Sequence, residues 1–232
     1  MKHDICSIPI SEVFEPKDGC PVCRLRDILE KRMVEYITGA AMMEPDVRIE
    51  TNKKGFCLHH YNRMLKQHKH LSVALTMQSR LEELDRQVFG NGLLAKDPAR
   101  QGKSARQALS TCFVCDEVNT NLERMLQNTC HLWGRERDFR QLFAEQPELC
   151  LPHFAMLAEA AGKELGKKER AEFTKIASDI CRRGLDALRA DIDHFTRMYD
   201  YRSGKSANDW GTAKDSPERV VKFLTSRPPE KD

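Results

Sequence analysis

The 232-residue sequence has no apolar run approaching the ~18–20 residues that span a bilayer. Its opening, MKHDICSIPISEVFEPKDGC, has no apolar core ahead of its acidic residues, so it does not read as a secretion signal. Both absences lead us to expect a cytoplasmic protein with no membrane association. Charge of one sign is lacking too. The 38 basic and 35 acidic residues leave a formal charge of only +3, which argues against the basic footprint of a nucleic-acid binder. Aromatics make up 7% of the chain. The sequence holds no GxSxG, HExxH, P-loop or dinucleotide fingerprint, so no familiar catalytic signature supports an enzyme.

Cysteine, by contrast, is plentiful. There are nine. In a reducing compartment, cysteines at short fixed spacings are more often metal ligands or catalytic groups than disulfides. "GCPVC" (19–23) precedes "GFCLHH" (55–60), and "CFVC" (112–115) precedes "LCLPHF" (149–154). The pattern C-x2-C … C-x2-H therefore occurs twice, as Cys20, Cys23, Cys57, His60 and as Cys112, Cys115, Cys150, His153. At an offset of 92 positions, Val22 matches Val114, Arg32 matches Arg124 and Met33 matches Met125. Glu44, Asp46 and Arg48 match Glu136, Asp138 and Arg140; one inserted residue later, Cys57-Leu58 matches Cys150-Leu151. This is an internal duplication. Of the adjacent His59 and His60, only His60 has a counterpart.

Three thiolates and an imidazole complete a tetrahedral zinc shell. Taken in chain order, the sequence predicts one zinc per repeat, two in all, each clipping its own half. A thioredoxin-like site would need a βαβ context, and none is visible. A c-type haem needs CxxCH, but Arg24 and Asp116 follow the pairs. Iron–sulfur clusters usually take four thiolates. Inert buried cysteines would not repeat their spacing. Cys6, Cys130 and Cys181 fall outside the pattern and read as small buried hydrophobes. His68, His70, His131 and His194 have no ligand-spaced partner and read as surface residues. Asp46, Arg48, Asp138 and Arg140 have two readings: caps and surface pairs at helix starts, or support around the thiolates.

Helical periodicity dominates the rest. Helices are expected over 24–38 and 116–132, a short one beginning near Pro45-Asp46, and a long one over 167–200. Ala74, Met77, Leu81, Leu84 and Val88 would form one apolar stripe, and Phe173, Ile176, Ala177, Ile180, Leu185, Leu188, Ile192, Phe195 and Tyr199 another. Residues 7–14 read as a short extended piece. The expected class is all-α: two repeated zinc-clipped helical modules packed into one helical assembly. The division is 1–89, a basic linker at 90–111 (including Lys96, Arg100, Lys103 and Arg106), 112–202, and a C-terminal loop and short helix at 203–232.

"IPISEVFEPKDGCPVCRLR", "MEPDVRIETNKKGFCLHH", "CFVC", "LCLPHF" and "YDYRSGKSANDWG" resemble a bacterial family catalogued as a domain of unknown function. The resemblance covers nearly the whole chain. It implies a paired cysteine/histidine helical module of cytoplasmic origin and no particular activity. Two roles stay open: a non-enzymatic interaction or regulatory module with structural zinc and an unidentified protein partner, or a redox- or metal-responsive thiol protein.

Overall fold

The computed structural model describes residues 10–90, 97–200 and 210–229. All regular secondary structure among these residues is helical, with no strand. The elements are α1 (Ile10–Phe14), α2 (Pro21–Ile37), α3 (Pro45–Lys54), α4 (Leu58–Leu65), α5 (His70–Leu84), α6 (Pro98–Leu109), α7 (Phe113–Arg135), α8 (Arg137–Ala144), α9 (Leu151–Glu164), α10 (Lys167–Met198) and α11 (Ser216–Thr225). The sequence-predicted α2, α3, α7 and α10 are all present. Ile10–Phe14 is helical rather than extended; positions 7–9 of that piece, and Cys6, lie outside the described residues.

The linker expectation also needs correcting. Asp97 accepts a hydrogen bond from the Ala99 N–H at 3.0 Å and Pro98 occupies the first turn, so a capped helix, α6, begins there. Arg100, Lys103 and Arg106 lie on it, while Lys96 is outside the described residues.

The chain forms two compact units: residues 1–26 with 123–232, and residues 27–122. They do not follow the linear division into 1–89 and 112–202. The cause is the two long helices that open the repeats. α2 starts in the first unit and continues in the second; α7 starts in the second and continues in the first. At 1.5 Å per residue, a helix of 17 residues carries the chain ~25 Å and one of 23 carries it ~35 Å. The CxxC of each repeat thereby falls in one unit and its CxxH in the other.

The first unit packs around aromatic rings. Phe14 lies 5.8 Å from Phe143, Phe143 lies 4.8 Å from Phe173, and Phe173 meets Trp133 edge-on at 5.3 Å. α10 adds Phe173, Ala177, Ile180, Cys181 and Leu188 to this core, whereas Leu185 and Tyr199 of its expected stripe are exposed. In the second unit the buried face of α5 is Val73, Thr76 and Arg80, not the stripe through Ala74 and Leu81. The reason is Arg80. Its guanidinium donates to the carbonyls of Asn52, Lys53 (3.1 Å) and Ala108 (2.6 Å), satisfying the open C-terminal ends of α3 and α6. Gly55 sits against that guanidinium with φ +64°, and a Cβ there would come within 2.8 Å of Arg80 Nε.

Candidate metal centres

Four helices begin directly after a cysteine: α2 after Cys20, α4 after Cys57, α7 after Cys112 and α9 after Cys150. In each case the cysteine carbonyl accepts a first-turn N–H: from Arg24 (3.4 Å), Tyr61 (3.0 Å), Asp116 (3.1 Å) and Phe154 (2.9 Å). Cys112 caps further, its sulfur accepting the Cys115 N–H at 3.5 Å. Helix N-termini carry partial positive charge and favour thiolates. The second ligand of each motif lies three residues on, in the same first turn, which puts both donors on one side of the helix end.

These four ends meet in two pairs. Cys20, Cys23, Cys150 and His153 form one cluster; Cys57, His60, Cys112 and Cys115 form the other. In each, the candidate ligand atoms all lie within 4.8 Å of one another. All eight sequence-predicted ligands are thus brought together, but not in the order expected. The CxxC of each repeat joins the CxxH of the other. Each cluster falls wholly within one compact unit. The helix path explains the exchange: α2 takes the chain into the unit where α7 begins, so Cys57 and His60 arrive beside Cys112, and α7 returns it to where α2 began.

The distances test a metal directly. With Zn–S bonds of ~2.3 Å and Zn–N bonds of ~2.0–2.1 Å, a tetrahedron has S···S edges of ~3.8 Å and S···N edges of ~3.5 Å. In the first cluster, Cys23 and Cys150 sulfurs are 3.7 Å apart, and His153 Nδ1 lies 3.6, 3.3 and 3.1 Å from Cys20, Cys23 and Cys150. In the second, Cys57 and Cys115 sulfurs are 3.9 Å apart, and His60 Nδ1 lies 3.2, 3.3 and 3.5 Å from Cys57, Cys112 and Cys115. The S···S separations are far too long for disulfides. Both clusters could hold a metal ion, each through Nδ1 of its histidine.

Electrostatics agree with shared protons that a metal would displace. Burial opposes a charge on His60, but its bond to Cys112, the nearby Glu30 carboxylate and the neighbouring thiolate charge push it up to about 9. Burial likewise opposes a Cys112 thiolate, yet the His60 bond and the backbone N–H groups of Cys115 and Cys57 bring it down to about 6. Cys115 is pushed up, by burial first and then by Cys112. In the first cluster, burial works against a Cys20 thiolate. Bonds from Cys150, Cys23 and His153 outweigh it and hold Cys20 well below the usual thiol range. Cys150 is pushed up chiefly by its bonds to Cys20 and Cys23.

The surroundings differ. All four residues of the first cluster are buried, whereas Cys57 and Cys115 of the second are half-exposed. Ser226, in a left-handed turn after α11, places its carbonyl 3.6 Å from Cys23 Sγ, while its hydroxyl accepts from Arg26 at 2.6 Å. Beside the second cluster, buried Glu30 faces His60, His59 and Arg63. Sequence reasoning missed Arg26 and Glu30. Their signal was two charges four apart within the buried stripe of α2 that runs Cys23, Arg26, Glu30, Val34. Of the residues proposed to support the thiolates, Arg140 is directed elsewhere. It donates to the Trp133 and Gly134 carbonyls at the end of α7, both at 2.7 Å, and lies over the Trp133 ring. Asp46 and Asp138 stand exposed in the first turns of α3 and α8, where their charge suits the helix dipole, and Arg48 is half-buried on α3. Cys130 and Cys181 are buried, as read from the sequence.

The site and fold define an all-α protein with two Cys3His clusters able to take a metal. Residues 1–231 match the model of a family of unknown function, DUF6062, and the chain belongs to that family. Neither a curated protein nor a solved structure matches it. No helix among the described residues is long and apolar enough to cross a membrane.

Proposed function

We propose that each cluster holds one zinc ion, that both ions are structural, and that the chain is a non-enzymatic, cytoplasmic interaction or regulatory module built on a zinc-stapled helical frame. The observation that carries this reading is the pair of closed shells: three sulfurs and one Nδ1 at tetrahedral spacing, with helix N-termini behind the thiolates. Catalytic zinc keeps a position for water; a complete four-ligand set does not. A zinc with three thiolates and a neutral histidine carries about −1 charge, which the two helix ends facing each cluster offset. Elemental analysis and native mass spectrometry of protein purified without added metal test it. Two zinc ions per chain are expected; a folded, metal-free chain or an iron–sulfur absorption band would overturn it.

A second reading, a thiol switch, is favoured by the half-exposed Cys57 and Cys115, since oxidant must reach a sulfur to eject the metal. Zinc release measured with a colorimetric chelator during peroxide titration separates the two. Rapid, reversible release at low micromolar peroxide would favour the switch.

A further inference from the structure

The duplication makes the two clusters alike in ligands but not in what stands behind the histidine. His60 presents Nδ1 to the three sulfurs, and its Nε2 is buried without a hydrogen-bond partner. The acceptor facing that nitrogen is Glu30 Oε1, at 3.8 Å. Glu30 is itself only 1% exposed, in the middle of α2. A carboxylate so deeply buried needs paired charge to remain ionised. Arg63 supplies it at 2.8 Å from Oε2, and His59 Nε2 stands 3.3 Å from the same oxygen. His59 and Arg63 flank His60 on α4, so one short helix brings the ligand and the groups that hold Glu30 in place.

The other repeat lacks this arrangement. In the alignment that matches Cys20 with Cys112 and His60 with His153, Leu122 stands for Glu30, Pro152 for His59 and Met156 for Arg63. All three charged or titratable groups are replaced by apolar ones. The aligned position of Glu30 in the other repeat, Leu122, is buried with no charge at all, so burial there does not by itself call for a carboxylate.

We propose that Glu30 is a positioning residue for the Cys57/His60/Cys112/Cys115 site: it receives the Nε2–H of His60, fixes the tautomer that leaves Nδ1 free for the metal, and raises the basicity of that nitrogen. The inference rests on the zinc reading above. A carboxylate behind a metal-bound imidazole acts in this way generally, and losing such a partner weakens metal affinity ~10–100-fold. The consequence is two zinc sites of unequal character within one chain, one with a charged network behind its histidine and one whose aligned positions carry no such groups.

The test uses the full zinc-loaded chain. The variants are Glu30→Gln and the double variant Glu30→Leu/Arg63→Met, which copies the apolar pair of the other repeat and strands no charge. Chelator competition is followed by native mass spectrometry, with thiol alkylation reporting which cysteines lose protection. The double variant should lose zinc at ~10–100-fold lower chelator concentration, with label on Cys57, Cys112 and Cys115 and none on Cys20, Cys23 or Cys150. Glu30→Gln, whose amide oxygen can still accept from Nε2–H, should fall between it and the wild type. A merely structural role predicts a different pattern: a lower melting temperature of the metal-stripped protein and equal weakening of both sites. Unchanged retention in both variants, or equal loss from both sites, would overturn the proposal. If the double variant does not fold, the Gln variant alone decides. A wild-type chain that takes up no zinc would instead remove the zinc reading itself, a separate and recognisable failure.

Discussion

Replacing Cys57 by serine separates the exchanged pairing from pairing in chain order. The sulfur of Cys57 lies 3.9 Å from that of Cys115 and 3.2 Å from His60 Nδ1. Its loss removes one of four ligands from a site that, in small zinc peptides, contributes ~10–16 kcal/mol of folding free energy. The helical core of the unit should limit the net loss to several kcal/mol. The bridge from His60 to Cys112 closes 52 positions of chain, while that from Cys23 to Cys150 closes 127. Loop-closure entropy makes the longer closure worth ~0.8 kcal/mol more. Cys150→Ser should therefore destabilise slightly more than Cys57→Ser, if the coordination losses are equal. Native mass spectrometry should count one ion in either variant where the wild type holds two. Alkylation then identifies the lost site. In Cys57→Ser, Cys112 and Cys115 should take the label while Cys20, Cys23 and Cys150 stay protected. Label on Cys20 and Cys23 instead would refute the exchanged pairing and the helix-path argument beneath it.

Four further outcomes are expected. His60→Ala should lower the zinc count by one, whereas His59→Ala should leave it at two, read by elemental analysis. Phe143→Ala, in the centre of the aromatic cluster, should cost ~3–5 kcal/mol in denaturant unfolding with the metal content intact. Gly55→Ala meets both a positive φ and the Arg80 guanidinium, so its melting temperature should fall by several degrees even though alanine is the better helix former elsewhere. Zinc uptake should release protons, because Cys115 and Cys150 are pushed up and so hold protons at neutral pH that the metal displaces. Loading should accordingly weaken as pH falls; calorimetry in buffers of different ionisation enthalpy reads the proton count, and a buffer-independent heat would contradict it.

The residues that cluster were legible in the sequence because duplication is a comparison the chain makes with itself. It singled out Cys20, Cys23, Cys57, His60 and their four counterparts, and it chose His60 over His59. The all-α class was legible because apolar spacing near 3.6 residues reports one helix at a time. The pairing was not. Two repeats with the same ligand spacing satisfy either grouping equally well, and the choice follows from α2 and α7 each passing from one compact unit into the other, a tertiary property. The α5 stripe failed for a related reason. Arg80 is buried because it satisfies carbonyls on α3 and α6, and hydropathy counts such a residue as solvent-facing.

The exchanged pairing also bears on what zinc would do for this fold. If each ion clipped its own repeat, a repeat could fold alone and the chain would be two modules in tandem. With the CxxC of one repeat joined to the CxxH of the other, neither repeat contains a complete site. Each ion then fastens residues far apart in sequence, and the two sites together tie the beginning, middle and later parts of the chain into the units they occupy. Contacts between distant segments are the costly ones to form, because the closure entropy comes before any packing rewards it. A metal at each pair of converging helix N-termini would offset that cost where it arises, supplying coordination and drawing on helix-end charge already in place. On the zinc reading, metal supply would be a determinant of whether the long helices find their partners. Refolding of stripped chain should consequently be slower and less complete without zinc than with it, and circular dichroism recovery after dilution from denaturant, with zinc added before or after, measures the difference. Equal rates and yields in both orders of addition would show that helix packing alone assembles the units, and that the ions are fitted afterwards into sites already formed.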